Sequence, residues 1–292
     1  MTMNLEVVGV DNGSTEARWT RTDTILYALG VGAGQDPLDE LQFTTENSDG
    51  IDQQVIPSYG IVLAGTHALR PVLGDFAVHQ VLHGEQSFVV HRPLPVEGCA
   101  RVSARCTGIY DKGSGALAVT ETTLADTETG LPYFTSRSGL FVRGEGGFGV
   151  KAPPEPVWDL PARPPDEVLT AVVRPEQALL YRLSGDRNPL HSDPTAARRS
   201  GFERPILHGL CTFGMTTRVL VDALCKGDAT LVRSMSGRFS RPVTPGCTVS
   251  VLLWKEDRRA VFRTLDGDGW VIIDRGTFTW ARSSEVAPPD QS

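Results

Sequence analysis

The segment that decides the fold reads YRLSGDRNPLHSDP (residues 181–194). Within six positions it combines the carboxylate of Asp186, the amide of Asn188 and the imidazole of His191. Pro189 has no N–H, fixes its own φ and pushes the residue before it toward extended backbone. The segment is therefore predicted to form a rigid loop that presents an acid and a base to one place, as proton-transfer chemistry requires.

The beginning of this segment has an earlier counterpart in the chain. YALG (residues 27–30) precedes YRLS (residues 181–184) by 154 positions. In the same order, RPLPVEGC (residues 92–99) precedes RPVTPGC (residues 241–247), and their final cysteines lie 148 positions apart. Two such similarities in one order predict a duplicated structural unit.

A proline-rich stretch separates the two copies. Seven prolines lie between residues 153 and 175, after a glycine cluster at residues 144–149. A stretch of this kind can neither pair as a central strand nor continue as a helix. We therefore predict an N-terminal unit at residues 1–150, a linker at 151–175 and a C-terminal unit at 176–292.

Each unit is predicted to contain one helix followed by several strands. In the second unit, Asp193 and Pro194 favour a short helix that ends near Gly201, and apolar periodicity predicts a buried helix over residues 208–225. Strands are predicted at residues 235–239, 249–254, 260–265 and 270–280, with a hairpin turn at 267–269. The first unit repeats the order, with a weaker helix at 58–71 and strands at 87–91, 101–110, 117–125 and 135–142. A buried helix wrapped by an antiparallel sheet, twice over, is an α+β architecture.

The composition is that of an ordinary globular protein, with 40% hydrophobic and 22% charged residues. A net charge of −7 argues against general binding to nucleic acid, which favours a basic surface. No apolar run approaches the ~20 residues of a membrane helix. The N-terminus lacks a signal pattern, and the C-terminal Asp-Gln-Ser is not a peroxisomal address. A cytoplasmic protein without a membrane partner is expected, and its five cysteines, lacking a C-x-x-C pair, are expected to be free thiols.

A second motif, PILHGL (residues 205–210), lies at the start of the predicted buried helix. Gly209 allows close approach to the backbone, and the N–H groups of a first helical turn suit a developing oxyanion. Together with the loop, this motif indicates acid–base chemistry beside a polarised carbonyl, as in the addition of water to an α,β-unsaturated thioester. Taken singly, Asp186 and His191 are also compatible with an ordinary turn, and His208-Gly209 with a tight junction between loop and helix. The histidines show no H-x-x-x-H or HExxH spacing, so no metal site is predicted.

These two motifs resemble the signature of the MaoC-like (R)-specific enoyl-CoA hydratases, also called hydratase 2. In the first unit, VLHGEQ (residues 81–86) and YDKGSG (residues 110–115) resemble the N-terminal half of the two-domain members. The resemblance covers roughly residues 20–282.

The resemblance implies a double hotdog fold and reversible hydration of trans-2-enoyl-CoA to (3R)-3-hydroxyacyl-CoA. It places the catalytic pair on Asp186 and His191, loop alignment on Asn188 and the oxyanion hole on the N–H of Gly209. Substrate contacts would fall on His83, Lys112, Arg187, Pro189, Leu190, His208 and Phe239. No metal or redox cofactor is implied, because CoA is part of the substrate, and a homodimer is expected because hotdog sheets often associate.

The first unit carries GVGAGQDP (residues 30–37) at the place of the catalytic loop, without an acid or a base at the matching positions. One active site per chain is therefore expected, and the loss of those polar groups would leave room for a bulky acyl tail. Lys112 is either a partner of the CoA phosphates or a solvated loop charge, and His83 is equally compatible with a structural histidine between the units. A hotdog acyl-CoA thioesterase and a non-catalytic acyl-CoA binding subunit are the alternative functions.

Overall fold

The protein is built around a single ten-stranded antiparallel sheet. The computed structural model describes residues 3–68, 72–77, 80–154 and 157–282. The strands are β1 (Ser14–Trp19), β2 (Val81–Val90), β3 (Gly98–Asp111), β4 (Gly115–Asp126), β5 (Pro132–Arg143), β6 (Glu167–Val172), β7 (Val232–Phe239), β8 (Thr248–Lys255), β9 (Arg259–Leu265) and β10 (Val271–Trp280). Their order across the sheet is β1-β3-β4-β5-β2-β7-β10-β9-β8-β6.

The strand order is the same when it is followed inward from either edge. The first half runs β1-β3-β4-β5-β2 and the second half runs β6-β8-β9-β10-β7. The halves join where β2 pairs with β7, with Phe88 opposite Met235. Strand β6 lies inside the segment 151–175, which was expected to be a linker, and it pairs only at the sheet edge through β8. The two halves thus share one topology, while the predicted domain boundaries stay a prediction.

Six α-helices accompany the sheet in the described residues. They are α1 (Arg21–Gly30), α2 (Leu41–Thr44), α3 (Tyr59–His67), α4 (Gln177–Tyr181), α5 (Pro194–Arg199) and α6 (Gly209–Cys225). The predicted short helix is confirmed as α5, because the carboxylate of Asp193 accepts the N–H of Thr195 at 2.7 Å and Pro194 begins the helix. The hairpin predicted at residues 267–269 is also confirmed, since it connects the paired strands β9 and β10.

The two central helices differ in length. Helix α6 has 17 residues and packs against β6, β7 and β10, whereas α3 has only nine and packs against β1, β4 and β5. The sequence predicted a first helix over 58–71, but α3 ends at His67, because Ala68 already has an extended backbone (ψ 140°). The predicted end at residues 69–71 lies outside the described residues. Helix α3 therefore covers less of its half of the sheet than α6 does.

The elements at the start of each half were not predicted from the sequence. Strands β1 and β6 lie at the two sheet edges, and each is followed by a helix, α1 or α4. Tyr27, in α1, and Tyr181, at the end of α4, are both almost fully buried, and their rings lie 6.1 Å apart. The two tyrosines of the repeated pattern therefore meet each other where the halves join. In the described residues, no helix has the length and apolar character needed to cross a bilayer.

Candidate active site

The loop between α4 and α5 is held in shape by its own side chains. Asp186 Oδ1 accepts the N–H of Asn188 at 3.2 Å, and Asn188 Oδ1 accepts the N–H of Leu190 at 3.0 Å. Pro189 then begins a short 3-10 turn, Pro189–His191. Gly185 enters the loop with φ +138°, and a Cβ there would lie 2.4 Å from Thr66 Cγ2 of α3. Both the backbone conformation and the close approach of Thr66 require glycine at this position. The loop therefore packs closely against α3 in the first half of the molecule.

The hydrogen bonds of His191 define which of its ring nitrogens carries the hydrogen. Its Nδ1 lies 2.8 Å from the carbonyl oxygen of Ile206, and since a carbonyl only accepts, Nδ1 carries the hydrogen. The other nitrogen, Nε2, therefore holds the free lone pair of the neutral ring. Burial lowers the pKa of His191 below its usual value of 6.5, although the Ile206 hydrogen bond and the charge of Asp186 act in the opposite direction. The ring is thus a neutral base at physiological pH.

His208 connects this loop to helix α6. It is the residue before the helix, is only 1% exposed, and donates from Nε2 to the backbone carbonyl of Asp186 at 3.2 Å. Its ring lies 3.7 Å from that of His191 and 4.9 Å from that of Tyr181, between centroids. Burial, followed by the neighbouring His191, lowers the pKa of His208 to about 4. This geometry gives His208 a positioning role; the substrate contact expected from the sequence stays a prediction.

Asp186, His191 and His208 form one compact cluster. Each presents a potential ligand or proton-carrying atom, and the three atoms lie within 4.8 Å of one another. Two of the four ring nitrogens already donate to backbone carbonyls. The carboxylate of exposed Asp186 and the free Nε2 of His191 remain to act together on a small molecule, which is the arrangement that general acid–base catalysis needs.

The N-terminus of α6 lies next to this cluster. The N–H groups of Cys211 and Thr212 bond to the His208 carbonyl, whereas the N–H of exposed Gly209 has no hydrogen-bond partner among the described residues. A Cβ on Gly209 would lie 3.4 Å from the ring of Phe239. That ring in turn contacts His83 of the first half edge-on, with centroids 5.0 Å apart. A polarised donor is thus available to an oxyanion beside the ring of Phe239.

A cavity of about 1040 Å³ extends from the loop into the first half of the molecule. Asp186, Arg187, Asn188 and Pro189 line it at the loop, and His83 lines it at β2. From there the cavity passes under α3 along the inner face of the first half-sheet. Its wall includes Ala64, Thr66, Leu73, Ala104, Leu140 and Leu210.

Four of the predicted contact residues are not among those that line the described part of this cavity, and neither are His191 and Gly209; the four are Lys112, Leu190, His208 and Phe239. Lys112 is exposed in the turn between β3 and β4, and Leu190 is half-buried behind the loop. Their roles toward substrate stay predictions.

The corresponding place in the first half is filled. Gly32 lies 154 positions before Asp186, and Pro37 the same number before His191. A Cβ on Gly32 would lie 3.4 Å from Met215 Cε of α6. Arg218, also of α6, donates from Nε to the carbonyl of Val31 at 3.2 Å and pairs with Glu40 at 2.7 Å. Helix α6 thus occupies the space in which a second substrate would have to lie.

Sequence reasoning missed several groups that shape the site. The carbonyl of Ile206 fixes the His191 proton, Thr66 closes on Gly185, and Tyr181 supports the ring of His208. Ile206 acts through its backbone, which has no sequence signature. Only Tyr181 carried a signal, as the first residue of the repeated Tyr-x-Leu pattern.

Two family models match the chain, one in each half. Residues 158–275 match the MaoC like domain, and residues 18–144 match the MFE-2 hydratase 2 N-terminal domain. The chain is 44% identical to enoyl-CoA hydratase ChsH3 of Mycobacterium tuberculosis, covering 89% of this chain and 92% of that one.

Solved structures agree on the fold. A MaoC-like dehydratase from Phytophthora capsici superposes with a TM-score of 0.87 at 32% identity, covering 97% of this chain and all of that one. A conserved hypothetical protein of M. tuberculosis with a double hotdog fold superposes with a TM-score of 0.56 at 16% identity, covering 91% of this chain and 93% of that one. The fold is therefore a double hotdog, and the chain belongs to the MaoC-like hydratase 2 family of enoyl-CoA hydratases.

Proposed function

We propose that this protein catalyses the reversible hydration of trans-2-enoyl-CoA to (3R)-3-hydroxyacyl-CoA. The observation that carries the proposal is the presence of three groups in or next to one cluster, whose Asp186 lines the cavity. These are the exposed carboxylate of Asp186, the free Nε2 of neutral His191 and the unpaired N–H of Gly209. They correspond to the proton carriers and the oxyanion donor that hydration of an unsaturated thioester requires.

The proposed reaction adds the hydroxyl of water to C3 of the substrate and a proton to C2. His191 Nε2 takes one proton from water while the water oxygen bonds to C3 of the substrate. The electrons of the double bond move toward the thioester oxygen, where the N–H of Gly209 stabilises the enolate. The proton then passes from His191 through Asp186 to C2, and both residues return to their starting states. These steps move only protons and the atoms of water, so CoA enters as part of the substrate and no redox cofactor takes part.

The shape of the cavity supports an acyl tail of substantial size. Its volume of about 1040 Å³ lies just above the ~300–1,000 Å³ usual for small-molecule sites. The tail would extend from the loop into the first unit, beneath the short helix α3. The CoA portion would leave at the open side of the loop, where Arg187 is exposed and Lys112 is proposed to meet the phosphates.

The roles of the remaining residues belong to the same proposal. Asn188 aligns the catalytic loop, while His83, Pro189, Leu190, His208 and Phe239 contact or orient the substrate. We also propose a cytoplasmic homodimer, with a first unit that accommodates the tail and a second unit that carries the chemistry.

One assay distinguishes this function from its alternatives. Purified protein is mixed with crotonyl-CoA and with a longer enoyl-CoA, while the enoyl absorbance and free thiol are followed. Loss of enoyl absorbance without thiol release, giving the 3R product on chiral analysis, is the expected result. Thiol release would identify a thioesterase, no change would identify a binding protein, and a 3S product would contradict the proposed geometry.

A further inference from the structure

The floor of the tail cavity is unexpectedly polar. Four hydroxyl side chains of β4 and β5 line it: Thr120, Thr122, Ser136 and Ser138. Thr120 lies opposite Ser138 and Thr122 opposite Ser136 in the antiparallel register, so all four form a two-by-two group on one face. We call this group the hydroxyl patch.

The two serines already have a partner, whereas the two threonines do not. Ser138 donates to Gln86 Oε1 at 2.8 Å, and Gln86 Nε2 donates to Ser136 Oγ at 2.9 Å. Among the described residues, neither Thr120 nor Thr122 has a hydrogen-bond partner for its hydroxyl. Both threonines are half-buried and border the cavity, so their hydroxyls are open to whatever occupies it.

The second half of the sheet shows what happens when a helix covers such a group. There the inward-facing hydroxyl of Thr264 is fully buried and lies 3.2 Å from the hydroxyl of Thr216 on α6. Helix α3 is too short to supply the equivalent partners for the patch. When a ligand fills the cavity and displaces water from the two free threonines, a polar group of that ligand is their natural partner.

We propose that the hydroxyl patch recognises an oxygen function, a hydroxyl or a ketone, on the distal part of the acyl tail. This inference rests on the proposed function and defines its substrate class more closely. A purely hydrocarbon tail would cover Thr120 and Thr122 without replacing their hydrogen bonds to water, which is unfavourable. An oxygenated tail can form hydrogen bonds with both threonines, so the polar floor would favour its binding.

The test compares trans-2-dodecenoyl-CoA with a series of equally long substrates, each bearing one hydroxyl at a different distal carbon. In the wild type, kcat/KM for at least one hydroxylated substrate should exceed that for the plain chain by about 3- to 10-fold, the size of one net hydrogen bond. A purely apolar tunnel predicts instead that every hydroxylated substrate has a lower kcat/KM than the plain chain. If the plain chain is preferred throughout, the inference is wrong.

Variants connect the preference to the patch. Thr120→Val/Thr122→Val preserves side-chain shape and should abolish the preference, while turnover of short crotonyl-CoA stays within about 2-fold. Thr123→Val, on the opposite face of β4, is the matched control and should keep the preference. The single variants Thr120→Val and Thr122→Val serve if the double variant fails to fold. A preference that survives in folded variants contradicts the inference, whereas absence of crotonyl-CoA hydration in the wild type contradicts the proposed function itself.

Discussion

Replacing Asp186 by asparagine removes a proton carrier while changing little else. Asparagine keeps the size of the side chain and an Oδ1 atom, so it can still accept the N–H of Asn188, which lies 3.2 Å from the present carboxylate. The hydrogen bond from His208 to residue 186 is made to the backbone carbonyl and does not depend on the side chain. The loop should therefore keep its shape, and any effect on turnover should come from the lost carboxylate.

The expected loss follows from the position of this carboxylate in the cluster. A carboxylate oxygen of Asp186 lies within 4.8 Å of a ring nitrogen of His191, which is close enough for proton exchange directly or through one water. A positioned acid or base contributes about 10²–10⁴-fold, and Asp186→Asn should lower kcat/KM by at least about 10²-fold. At 1.36 kcal/mol for each factor of ten, this is about 2.7 kcal/mol or more of lost transition-state stabilisation.

The enoyl-absorbance assay measures this loss, and the chain offers a matched control. Asp193, seven positions later, caps α5 through its Oδ1 at 2.7 Å from the N–H of Thr195. Asparagine caps a helix as well as aspartate, so Asp193→Asn should leave both stability and turnover almost unchanged. The negative charge of Asp186 also raises the pKa of His191, so Asp186→Asn should lower that pKa in an NMR titration. A folded Asp186→Asn protein with kcat/KM within about 10-fold of the wild type would refute the assigned role.

Four further outcomes are expected. Because burial holds the pKa of His191 below 6.5, kcat/KM should remain high at pH 6.5 and fall only at more acidic pH; a fall already at pH 7 would contradict a buried neutral base. The pKa of His208 is about 4 in the native protein and about 6.5 in the unfolded chain. Between these pH values the unfolded chain binds a proton that the native protein does not, so the free energy of unfolding should decrease as the pH drops from about 6.5 toward 4. Ala104→Leu, in the cavity wall, should lower kcat/KM for a dodecenoyl substrate at least about 10-fold while sparing crotonyl-CoA, and equal losses for both would contradict a tail site there. Arg218→Met leaves the half-buried Glu40 unpaired and should lower the free energy of unfolding by about 3 kcal/mol in urea, with kcat little changed in the folded protein.

The sequence predicted those parts of the molecule that depend on local chemistry. Pro189 and the residues around it define the loop within a few positions, and Asp193-Pro194 define the start of α5 in the same way. The buried helix α6 was predicted because its apolar residues recur at helical spacing. These features need no knowledge of the rest of the fold.

The features that the sequence did not predict depend on distant partners. Strands β1 and β6 are short edge strands, and their pairing with β3 and β8 decides that they exist at all. The proton position on His191 depends on the backbone carbonyl of Ile206, fifteen residues away. The early end of α3 was likewise not evident from the weak helical pattern that continued to residue 71.

The difference in length between α3 and α6 accounts for both the proposed single active site and the proposed tail cavity. Arg218 is the tenth residue of α6, whereas α3 has only nine residues, so Arg218 occupies the first position without a counterpart in the first half. With Met215, it fills the space beside Gly32 where a second site would lie. The absence of a corresponding turn from α3 is what leaves the cavity open beside Asp186. An acid and a base placed at residues 32 and 37 would therefore have no room for substrate. Helix α6 fills the space beside residues 32 and 37, whereas the shorter helix α3 leaves the space beside Asp186 open.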